Sequence, residues 1–525
     1  MNFAKYGIIN ARKYPEKEYL VEVRPPRKRR KLTWKEFNEE TNRVANYLQN
    51  EVGVRKGDFV LHLQMNSLEW IVTFHAILRV GATVVPLSFR FASADIKYAA
   101  LACNPSAFIF DERFIPKIEP IREEMGSIRS FICIGDQVPQ NMVSYDSMIK
   151  NGDLSEILVS VDKNDPAELM FTSGTTGPPK PVCQAHDTLY QIGISIALTY
   201  SLGHETVYLN PHPFYHSGSF FLNLAPYLAG GTTLILPDSS DPKFLLEATC
   251  DEKVTDGQVA VPAMADLVNA IKKGEIDITN YDLSHLKNMH VGAQPVPSSL
   301  FRDIKQIFPF DTGNMYGITE GGGAGSTHLF DADILTRPGS IGRPTFNIET
   351  RIVDDSGNDV GVGKVGELLL RGPRIMKEYY KNPEMTKEAI RDGWLYTGDL
   401  VRADDDGYIY IADRKKDLII RGGENIFPAE IEDVLRRHPK VADAAVIGYP
   451  HERLVEISMA IVQLFPGDTM EKEEVIDFCA KQGLAKYKWP EKIVFNDVIR
   501  NATGKIDKPL LRIKYIGKKE VAVGE

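Results

Sequence analysis

The chain reads Thr172-Ser173-Gly174-Thr175-Thr176-Gly177-Pro178-Pro179-Lys180 directly after the apolar run Leu169-Met170-Phe171. A strand that opens into a loop of glycine, hydroxyl and lysine residues leaves backbone N–H groups free to face an anion, so the pattern indicates a loop that binds phosphate. It is not a Walker A loop, because no Gly-Lys-Ser/Thr triplet ends it. A polar surface turn has a similar composition, so this segment needs partners elsewhere in the chain.

Five further motifs follow in chain order. They are Pro213-Phe214-Tyr215-His216-Ser217-Gly218, Asn314-Met315-Tyr316-Gly317-Ile318-Thr319-Glu320, Tyr396-Thr397-Gly398-Asp399-Leu400, Asp413-Arg414-Lys415-Lys416-Asp417 with Arg421-Gly422-Gly423-Glu424-Asn425, and Asn501-Ala502-Thr503-Gly504-Lys505-Ile506. With the first loop they resemble, in content and order, the motifs of the adenylate-forming superfamily of AMP-forming acyl-CoA synthetases, luciferases and adenylation domains. The resemblance extends over about two-thirds of the chain.

This resemblance implies a reaction in two halves. A carboxylate attacks the α-phosphorus of ATP and expels pyrophosphate, and a thiol then attacks the carbonyl of the acyl-adenylate. ATP, CoA and Mg²⁺ are therefore the expected cofactors, and a small carboxylic acid is the expected substrate. The first half brings two anions together, so it needs positive charge that is in place before the reaction.

Four residues are the catalytic candidates. The resemblance implies that Lys505 places its ammonium between the carboxylate and the bridging phosphate oxygens, and that Glu320 is the Mg²⁺ ligand. It also implies that Thr319 donates to the α-phosphate and that His216 separates the acyl carbonyl from the path of the thiol. A general-base role for His216 is not needed, because electrostatics alone can activate a thiol.

The remaining candidates bind the nucleotide or CoA. The resemblance implies phosphate binding by Thr172, Ser173, Gly174, Thr175, Thr176, Gly177 and Lys180, adenine binding by Gly292, Ala293, Gln294, Tyr316 and Gly317, ribose binding by Asp399 and Arg414, a hinge at Lys416, and a thiol path beside Gly422 and Gly423. Two positions depart from the family pattern, since Gln294 replaces a more usual small residue and Pro181 replaces a glycine. Gly321, Gly322 and Gly323 are expected to let backbone approach the acyl group.

The order of strand and helix signals predicts an α/β fold. A helix is predicted over residues 33–51, with Thr33 as N-cap and Glu36 three positions later. Strands are predicted at 58–63 and 81–86 with a helix at 69–80 between them. Parallel α/β sheets are predicted to about residue 330, and a β-rich subdomain from residue 348. The domains predicted are 1–415, which binds the acid and ATP, and 416–525, a small mobile α+β domain with the catalytic lysine.

Composition narrows the function classes. The 525 residues are 43% hydrophobic and 25% charged with a net charge of −9, which argues against a nucleic-acid partner bound by bulk charge. No apolar run approaches the ~18–20 residues of a membrane span, and a cytoplasmic location is expected. The five cysteines are scattered, as in reduced thiols. The basic run Arg27-Lys28-Arg29-Arg30-Lys31 is expected to be a solvated hairpin tip.

Other enzyme classes share part of this pattern. A stand-alone adenylation domain that loads a carrier protein has the same adenylation motifs, and a phosphotransferase also uses a glycine-rich loop but releases ADP. A catalytically dead regulator is disfavoured by the presence of Lys180, Glu320, Asp399 and Lys505. The acid is expected to be a medium-chain, aromatic or alicyclic monocarboxylate rather than acetate, with carnitine-like acids left open. The oligomeric state is also open, with a homodimer as one candidate.

Overall fold

The computed structural model describes residues 1–172, 179–237, 241–292, 296–500 and 506–517. The chain divides into two compact units. The first comprises residues 1–172, 180–350 and 370–395. Of the described residues, the second comprises 351–369 and the chain from 396 onward. The predicted domain boundary at residues 415/416 stays a prediction.

The strands occur throughout both units. They are β1 (Glu18–Arg24), β2 (Lys28–Thr33), β3 (Phe59–Leu63), β4 (Thr83–Pro86), β5 (Ala107–Asp111), β6 (Ser130–Ile134), β7 (Val143–Ser144), β8 (Pro166–Thr172), β9 (Lys180–Ala185), β10 (Val207–Asn210), β11 (Thr232–Ile235), β12 (Asp256–Ala260), β13 (Asn288–Gly292), β14 (Asp311–Tyr316), β15 (Thr327–Leu329), β16 (Ser340–Pro344), β17 (Glu349–Val353), β18 (Gly366–Arg371), β19 (Glu378–Tyr379), β20 (Ile390–Arg391), β21 (Trp394–Ala403), β22 (Ile409–Arg414), β23 (Ile419–Arg421), β24 (Glu424–Ile426), β25 (Val441–His451), β26 (Val455–Leu464) and β27 (Lys492–Phe495).

The helices alternate with these strands in the first unit, as an α/β fold requires. They are α1 (Lys5–Lys13), α2 (Trp34–Asn50), α3 (Leu68–Arg79), α4 (Ser93–Cys103), α5 (Ile115–Ile118), α6 (Tyr145–Asn151), α7 (His186–Thr199), α8 (Ser217–Ala229), α9 (Pro242–Asp251), α10 (Val261–Lys272), α11 (Ser298–Ile307), α12 (Pro383–Ala389), α13 (Pro428–Leu435), α14 (Lys472–Lys481) and α15 (Lys508–Ile516). None of the helices in the described part of the chain combines the length and apolar character that a bilayer crossing requires.

Two sheets organise the first unit. One has the strand order β19-β9-β8-β4-β3-β5-β6-β7, in which β4, β3, β5, β6 and β7 are mutually parallel and β9 is antiparallel to both neighbours. In the other, the order β14-β13-β12-β10-β11-β1 is parallel, and antiparallel strands flank it. The predicted parallel α/β sheets are confirmed, with antiparallel strands at their edges that the sequence pattern had not distinguished.

Local sequence rules account for several elements. Helix α2 begins after Thr33, whose hydroxyl accepts from Glu36 N at 3.2 Å while the Glu36 carboxylate accepts from Thr33 N at 2.7 Å. This reciprocal capping box is what the sequence predicted. Strand β3 and helix α3 also lie within two residues of their predicted bounds. Such elements are predictable because their signals are local.

The basic run lies at the end of the hairpin β1–β2, as expected. Arg27 lies in the turn, the others belong to strand β2, and all but Arg30 are exposed. Arg29 bonds Glu18 and Glu252, and Arg30 bonds Glu69 and the buried Glu22. The charges of Arg29 and Arg30 are therefore paired with carboxylates, which the sequence pattern did not predict.

The chain beyond residue 418 forms the compact α+β part of the second unit. Its sheet has the order β24-β23-β26-β25, with β27 parallel to β26. Ile431 and Leu435 of α13 pack with Val475 and Cys479 of α14 in one apolar cluster. Leu511 of α15 belongs to a second cluster with alternate residues of β25 and β26. Period-2 alternation thus buries both faces of the long hairpin β25–β26.

Buried histidines make the fold sensitive to acid. Burial lowers the pKa of His62 to about 3, lowers those of His186 and His290 to about 4, and lowers those of His75 and His328 well below 6.5. Because the unfolded chain takes up these protons near pH 6.5 and the folded chain does not, the stability from the neutral rings is complete above that pH. It is lost as the pH falls toward 4, at about 1.4 kcal/mol per pH unit for each histidine.

We therefore expect the free energy of unfolding to fall steeply between pH 6.5 and 4. His75 tests this, because it stacks on Tyr227 at 4.2 Å and contacts Phe37 and Phe74. H75F should reduce the slope of the free energy of unfolding against pH by about the contribution of one histidine. H285F, at an exposed position, should leave this slope unchanged. Urea unfolding at half-unit pH steps measures the slope, and an H75F slope equal to that of the parent would contradict the assignment.

Candidate functional site

Glu320 lies in a single turn of 3₁₀ helix, Thr319–Gly321, that follows strand β14. Its Oε1 accepts a hydrogen bond from the Tyr379 hydroxyl at 2.8 Å, and its backbone oxygen accepts from Met376 N at 2.7 Å. Burial, and then the Glu320 carboxylate, raise the pKa of Tyr379, so the phenol stays a donor. The segment 376–379 therefore fixes both the backbone and the side chain of the predicted metal ligand.

Lys180 lies next to this pair. Its Nζ is 5.5 Å from the centroid of the Tyr379 ring, at the range of a cation–π contact. Thr172 and Lys180 are register partners, the last pair of the hairpin β8–β9 before the connecting residues 173–179. Two phosphate-binding candidates, one of them the cation Lys180, thus lie close to the predicted metal ligand in the first unit, which suits a polyanion bound with a metal ion.

Thr319 is held from two sides. Its hydroxyl is 2.8 Å from the Ser217 hydroxyl, and its carbonyl oxygen accepts from Nε2 of the buried Gln184 at 2.9 Å. Ser217 is the first residue of α8, and Gln184 lies on β9. The motif at 314–320 is therefore tied to the motif at 213–218 and to the strand behind the phosphate loop.

His216 is the N-cap of helix α8. Its Nδ1 accepts from Gly218 N at 3.0 Å, so in the neutral ring the proton is assigned to Nε2. This bond fixes the imidazole plane at the start of the helix. The tethered ring is suited to the positional role predicted for it, and the tautomer leaves Nε2 as a donor.

The glycine turn after Glu320 is packed against the protein itself. A Cβ atom added at Gly317 would lie 1.8 Å from the Gly323 carbonyl oxygen, and one at Gly323 would lie 2.6 Å from the Ser217 carbonyl oxygen. At Gly322 an added Cβ would lie 2.6 Å from the Arg374 carbonyl oxygen. Protein atoms therefore occupy the side of Gly322 and Gly323 on which a side chain would lie. The approach of their backbone to the acyl group stays a prediction.

Arg374 holds the same turn from behind. The side chain is fully buried and its guanidinium donates to three backbone oxygens of the turn, those of Gly322 at 2.9 Å, Ala324 at 2.6 Å and Gly325 at 2.8 Å. Burial lowers its pKa to about 10, so it remains charged at neutral pH. A buried cation bonded to carbonyl dipoles in this way determines the path of the backbone.

Several predicted residues lie at the ends of strands or outside the described residues. Gly292 ends β13, and Tyr316 ends β14, where its carbonyl oxygen accepts from Ser326 N at 2.8 Å. Gly292 and Met315 are register partners, which places both predicted adenine segments at one edge of the sheet. The candidates that lie outside the described residues are Ser173, Gly174, Thr175, Thr176, Gly177, Ala293, Gln294 and Lys505.

The second unit brings the two ribose candidates together. Asp399 and Arg414 are register partners on β21 and β22, and Arg414 Nε is 3.1 Å from Asp399 Oδ1. The Asp399 side chain is 5% exposed and that of Arg414 is 43% exposed. The pair therefore presents a carboxylate and a guanidinium side by side, the donor–acceptor combination that adjacent hydroxyls require.

The CoA candidates form a tight turn. Gly422 and Gly423 connect β23 to β24, and their φ values are +57° and +91°. A two-residue hairpin loop with positive φ at both positions favours glycine, as in a type I′ turn. An added Cβ at Gly423 would meet nothing within 4 Å. Lys416 lies in a short 3₁₀ turn, Lys415–Asp417, just before β23; its hinge role stays a prediction.

Sequence reasoning missed three residues that support this site. Tyr379 lies 59 residues beyond Glu320, Arg374 lies 50 residues beyond Ala324, and Gln184 lies 135 residues before Thr319. No periodicity or motif marks them, because their roles depend on packing. A fully buried arginine cannot be recognised before its burial is known.

Magnesium fits the donors that are present. Mg²⁺ needs hard oxygen ligands and is often bound by one or two carboxylates with phosphate oxygens and water. Glu320 supplies one such carboxylate, oriented by the Tyr379 phenol. Within the described ranges no cluster of three or more histidine, cysteine, aspartate or glutamate side chains suits a metal ion. A lone carboxylate beside a phosphate loop therefore fits magnesium bound with a nucleotide.

Comparison with known proteins agrees with this geometry. Residues 9–380 match the AMP-binding enzyme family, and residues 430–505 match the C-terminal domain of AMP-binding enzymes. The chain is 32% identical to an indoleacetate–CoA ligase of Aromatoleum aromaticum over 490 residues, which are 92% of this chain and 93% of the relative. It is also 32% identical to the long-chain fatty-acid–CoA ligase FadD13 of Mycobacterium tuberculosis over 489 residues, again 92% and 93%.

Solved structures are similar over the full length. The anthranilate CoA ligase AuaEII in complex with anthranoyl-AMP has a TM-score of 0.88 at 27% identity, covering 100% of this chain and 98% of that one. The o-succinylbenzoate CoA synthetase MenE of Bacillus subtilis, in complex with ATP and magnesium ion, has a TM-score of 0.84 at 27% identity, covering 97% and 99%.

Proposed function

Since this chain belongs to the AMP-binding enzyme family, we propose that it is an acid–CoA ligase that forms AMP. It activates a carboxylic acid with ATP to an acyl-adenylate and then transfers the acyl group to CoA. The observation that best supports this function is the cluster of Lys180, Tyr379, Glu320, Thr319 and Ser217 in the first unit. The cluster combines a cation, an oriented carboxylate and hydroxyl donors at the end of a phosphate loop.

In the first half-reaction an oxygen of the acid attacks the α-phosphorus of ATP, and the bond to pyrophosphate breaks. Lys180 binds the leaving phosphates, and Thr319, held by Ser217, donates to the α-phosphate. Glu320 would hold Mg²⁺, which would supply further positive charge to the phosphates. Lys505 offsets the charge of the two reacting anions, and Asp399 with Arg414 binds the ribose hydroxyls.

In the second half-reaction the CoA thiolate attacks the acyl carbonyl, and AMP leaves with the electrons of the bond that breaks. The thiol reaches the adenylate beside Gly422 and Gly423, where an added Cβ at Gly423 would meet only open space. His216 stays a positional residue. In this proposal the small domain from residue 416 turns about Lys416 between the two halves.

The acid is an apolar or ring-containing monocarboxylate. Tyr215, Phe220 and Phe221 flank the start of helix α8, and Trp70 is 4.6 Å from Phe220 between ring centroids. Aromatic walls favour an apolar acyl group. The relatives named above act on an indole acid, a long-chain fatty acid and an aromatic amino-substituted acid, so their chemistry supports this range without choosing within it. A role in fatty acid metabolism is one case of this proposal.

A panel of carboxylic acids tests the proposed function. Each acid is incubated with ATP, Mg²⁺ and CoA, and the products AMP, ADP, pyrophosphate and acyl-CoA are measured separately. We expect AMP and acyl-CoA in equal amounts with hexanoate, benzoate or cyclohexanecarboxylate, and several acids should react because pockets discriminate by only ~1–3 kcal/mol per methylene.

Each alternative predicts a different product. ADP release would indicate a phosphotransferase. AMP release that needs a carrier protein and not CoA would indicate a stand-alone adenylation domain. Strict preference for acetate or for an amino acid would overturn the substrate class. No release of AMP with any acid would contradict the proposed function itself.

A further inference from the structure

A group of polar side chains is buried beside the glycine turn, on the sheet that ends at Gly292 and Tyr316. Gln258 of β12 and His290 of β13 are register partners, and His328 of β15 is the register partner of Met315. The exposed fractions of Gln258, His290 and His328 are 1%, 4% and 2%. We call these three residues the polar row. Its members lie on three different strands, so only the pairing of strands in the sheet brings them together.

The polar row has unused hydrogen-bonding capacity. Among the described residues, neither ring nitrogen of His290 and neither of His328 has a hydrogen-bond partner, and the same is true of Oε1 of Gln258. The buried Nε of Arg374 is likewise without one. Buried polar atoms are nearly always paired, and a leucine or phenylalanine would fill the same volume without that cost. This pattern is typical of a polar ligand subsite.

Packing holds the two imidazoles close together. A Cβ atom at Gly313 would lie 2.6 Å from Nε2 of His328 and 2.9 Å from Nδ1 of His290, so that position excludes a side chain. The Tyr200 ring covers both imidazoles, with centroids 4.3 Å from His290 and 4.9 Å from His328. The His290 and His328 centroids are 5.0 Å apart. The nitrogens are therefore oriented by their surroundings rather than free to turn toward water.

The row connects to the candidate site through the glycine turn. An added Cβ at Gly325 would be at ordinary contact distance from the Tyr200 hydroxyl (3.6 Å), Arg374 Nη1 (3.9 Å) and Ile196 Cγ1 (3.9 Å). Tyr200 also reaches Met315 Sδ at 3.6 Å. Gly325 lies five residues after Glu320. Tyr200 therefore contacts both the polar row and the turn that carries the predicted metal ligand.

The charge around the row selects the ligand chemistry. Arg374 stays protonated, and burial keeps His290 and His328 neutral at physiological pH by lowering their pKa values. Tyr200 stays a neutral phenol because burial raises its pKa. No carboxylate bonds to any of these side chains among the described contacts. An oxygen that accepts hydrogen bonds suits these donors. An ammonium group would instead lie near the Arg374 cation with no carboxylate to offset its charge.

We propose that the acid substrate has a keto or hydroxyl oxygen on its tail, away from the reacting carboxylate, and that His290 and His328 bind this oxygen. The proposal rests on the acid–CoA ligase function and narrows its substrate class to oxygen-substituted acids. It excludes carnitine-like and amino acids. A neutral imidazole offers one donor and one acceptor nitrogen, so the pair can bind either a ketone or a hydroxyl.

Matched acids provide the test. The rate of AMP release is measured with cyclohexanecarboxylate and 4-oxocyclohexanecarboxylate, and with heptanoate and 6-oxoheptanoate. We expect kcat/KM to be at least about tenfold higher for the oxo acid of one pair, since sites built to bond an oxygen reject the analogue that lacks it. 6-Aminohexanoate should react more slowly than either seven-carbon acid.

Variants assign the preference to the polar row. H290L and H328L should each bring the oxo-to-unsubstituted ratio of kcat/KM close to one, while H75F, at a buried histidine remote from the row, should keep the parent ratio. The melting temperatures of H290L and H328L check that a loss of the ratio is not caused by unfolding. Isothermal titration of each acid with a non-hydrolysable ATP analogue gives the same ratio from binding.

The outcomes separate the two proposals. A ratio near one in the parent protein, or a high ratio unchanged in both H290L and H328L, would overturn the polar-row proposal and leave the ligase function intact. Absence of AMP release with every acid would contradict the ligase function instead. If H290L and H328L do not fold, a parent protein without oxo-acid preference in binding and turnover still overturns the inference.

Discussion

E320Q is expected to slow adenylate formation by about 100- to 1,000-fold, the cost of losing one preorganised electrostatic contact in a transition state. Glutamine keeps the shape of Glu320 and can still accept from the Tyr379 hydroxyl, now 2.8 Å from Oε1. It lacks the charge that binds a divalent cation. The variant should therefore require far more Mg²⁺ while its melting temperature stays near that of the parent.

Pyrophosphate exchange at a series of Mg²⁺ concentrations measures this effect. Y379F removes only the hydroxyl donor. It should lower the rate of pyrophosphate exchange by about 10- to 100-fold, as is usual for residues that bond a metal ligand. E378Q changes the glutamate next to Tyr379, whose side chain is 40% exposed, and is the matched control, with activity near that of the parent expected. An unchanged magnesium dependence in E320Q would mean that the metal is bound elsewhere.

K505A is expected to abolish the first half-reaction, by at least about 1,000-fold, and to spare the second. Lys505 lies outside the described residues, so the prediction rests on the resemblance of its motif and on the need to offset two reacting anions. Thioester formation from pre-made acyl-adenylate should be spared, because in the proposed function Lys505 faces the site only during the first half-reaction. That rate should stay within a few-fold of the parent.

K514A serves as the control, because Lys514 is an exposed lysine on the nearby helix α15. Both half-reactions should proceed normally in that variant. The two rates are measured separately, by pyrophosphate exchange and by CoA consumption with synthetic acyl-adenylate. Equal losses of both rates in K505A would show that the lysine acts in both halves or supports the fold.

The sequence motifs predicted most of the site residues but not the residues that hold them in place. Thr319, Glu320, Lys180, Asp399 and Arg414 were identified from short sequence strings, and the structure places the first three near one another and pairs the last two. The strings contain no information about which residue holds each of them. Tyr379, which orients Glu320, was therefore not predicted.

The glycine turn shows what tertiary structure adds to single residues. From sequence, the backbone of Gly321–Gly323 is expected to approach the acyl group. In the fold, the carbonyl oxygens of Ser217 and Arg374 occupy the positions that side chains at Gly323 and Gly322 would take. The close approach of the protein's own backbone is therefore a second reason for glycine here, and only the arrangement of neighbouring segments reveals it.

The sequence alone determined the family resemblance, the order of the motifs and local elements such as the capping box at Thr33. These features depend on residues within a few positions of one another, so short-range sterics and hydrogen bonding suffice to specify them. Tertiary structure alone decided that Tyr379 meets Glu320, that Arg374 lies under the glycine turn, and that His290 and His328 share a buried row. Those meetings depend on sheet register and core packing between segments far apart in the chain, which no local pattern encodes.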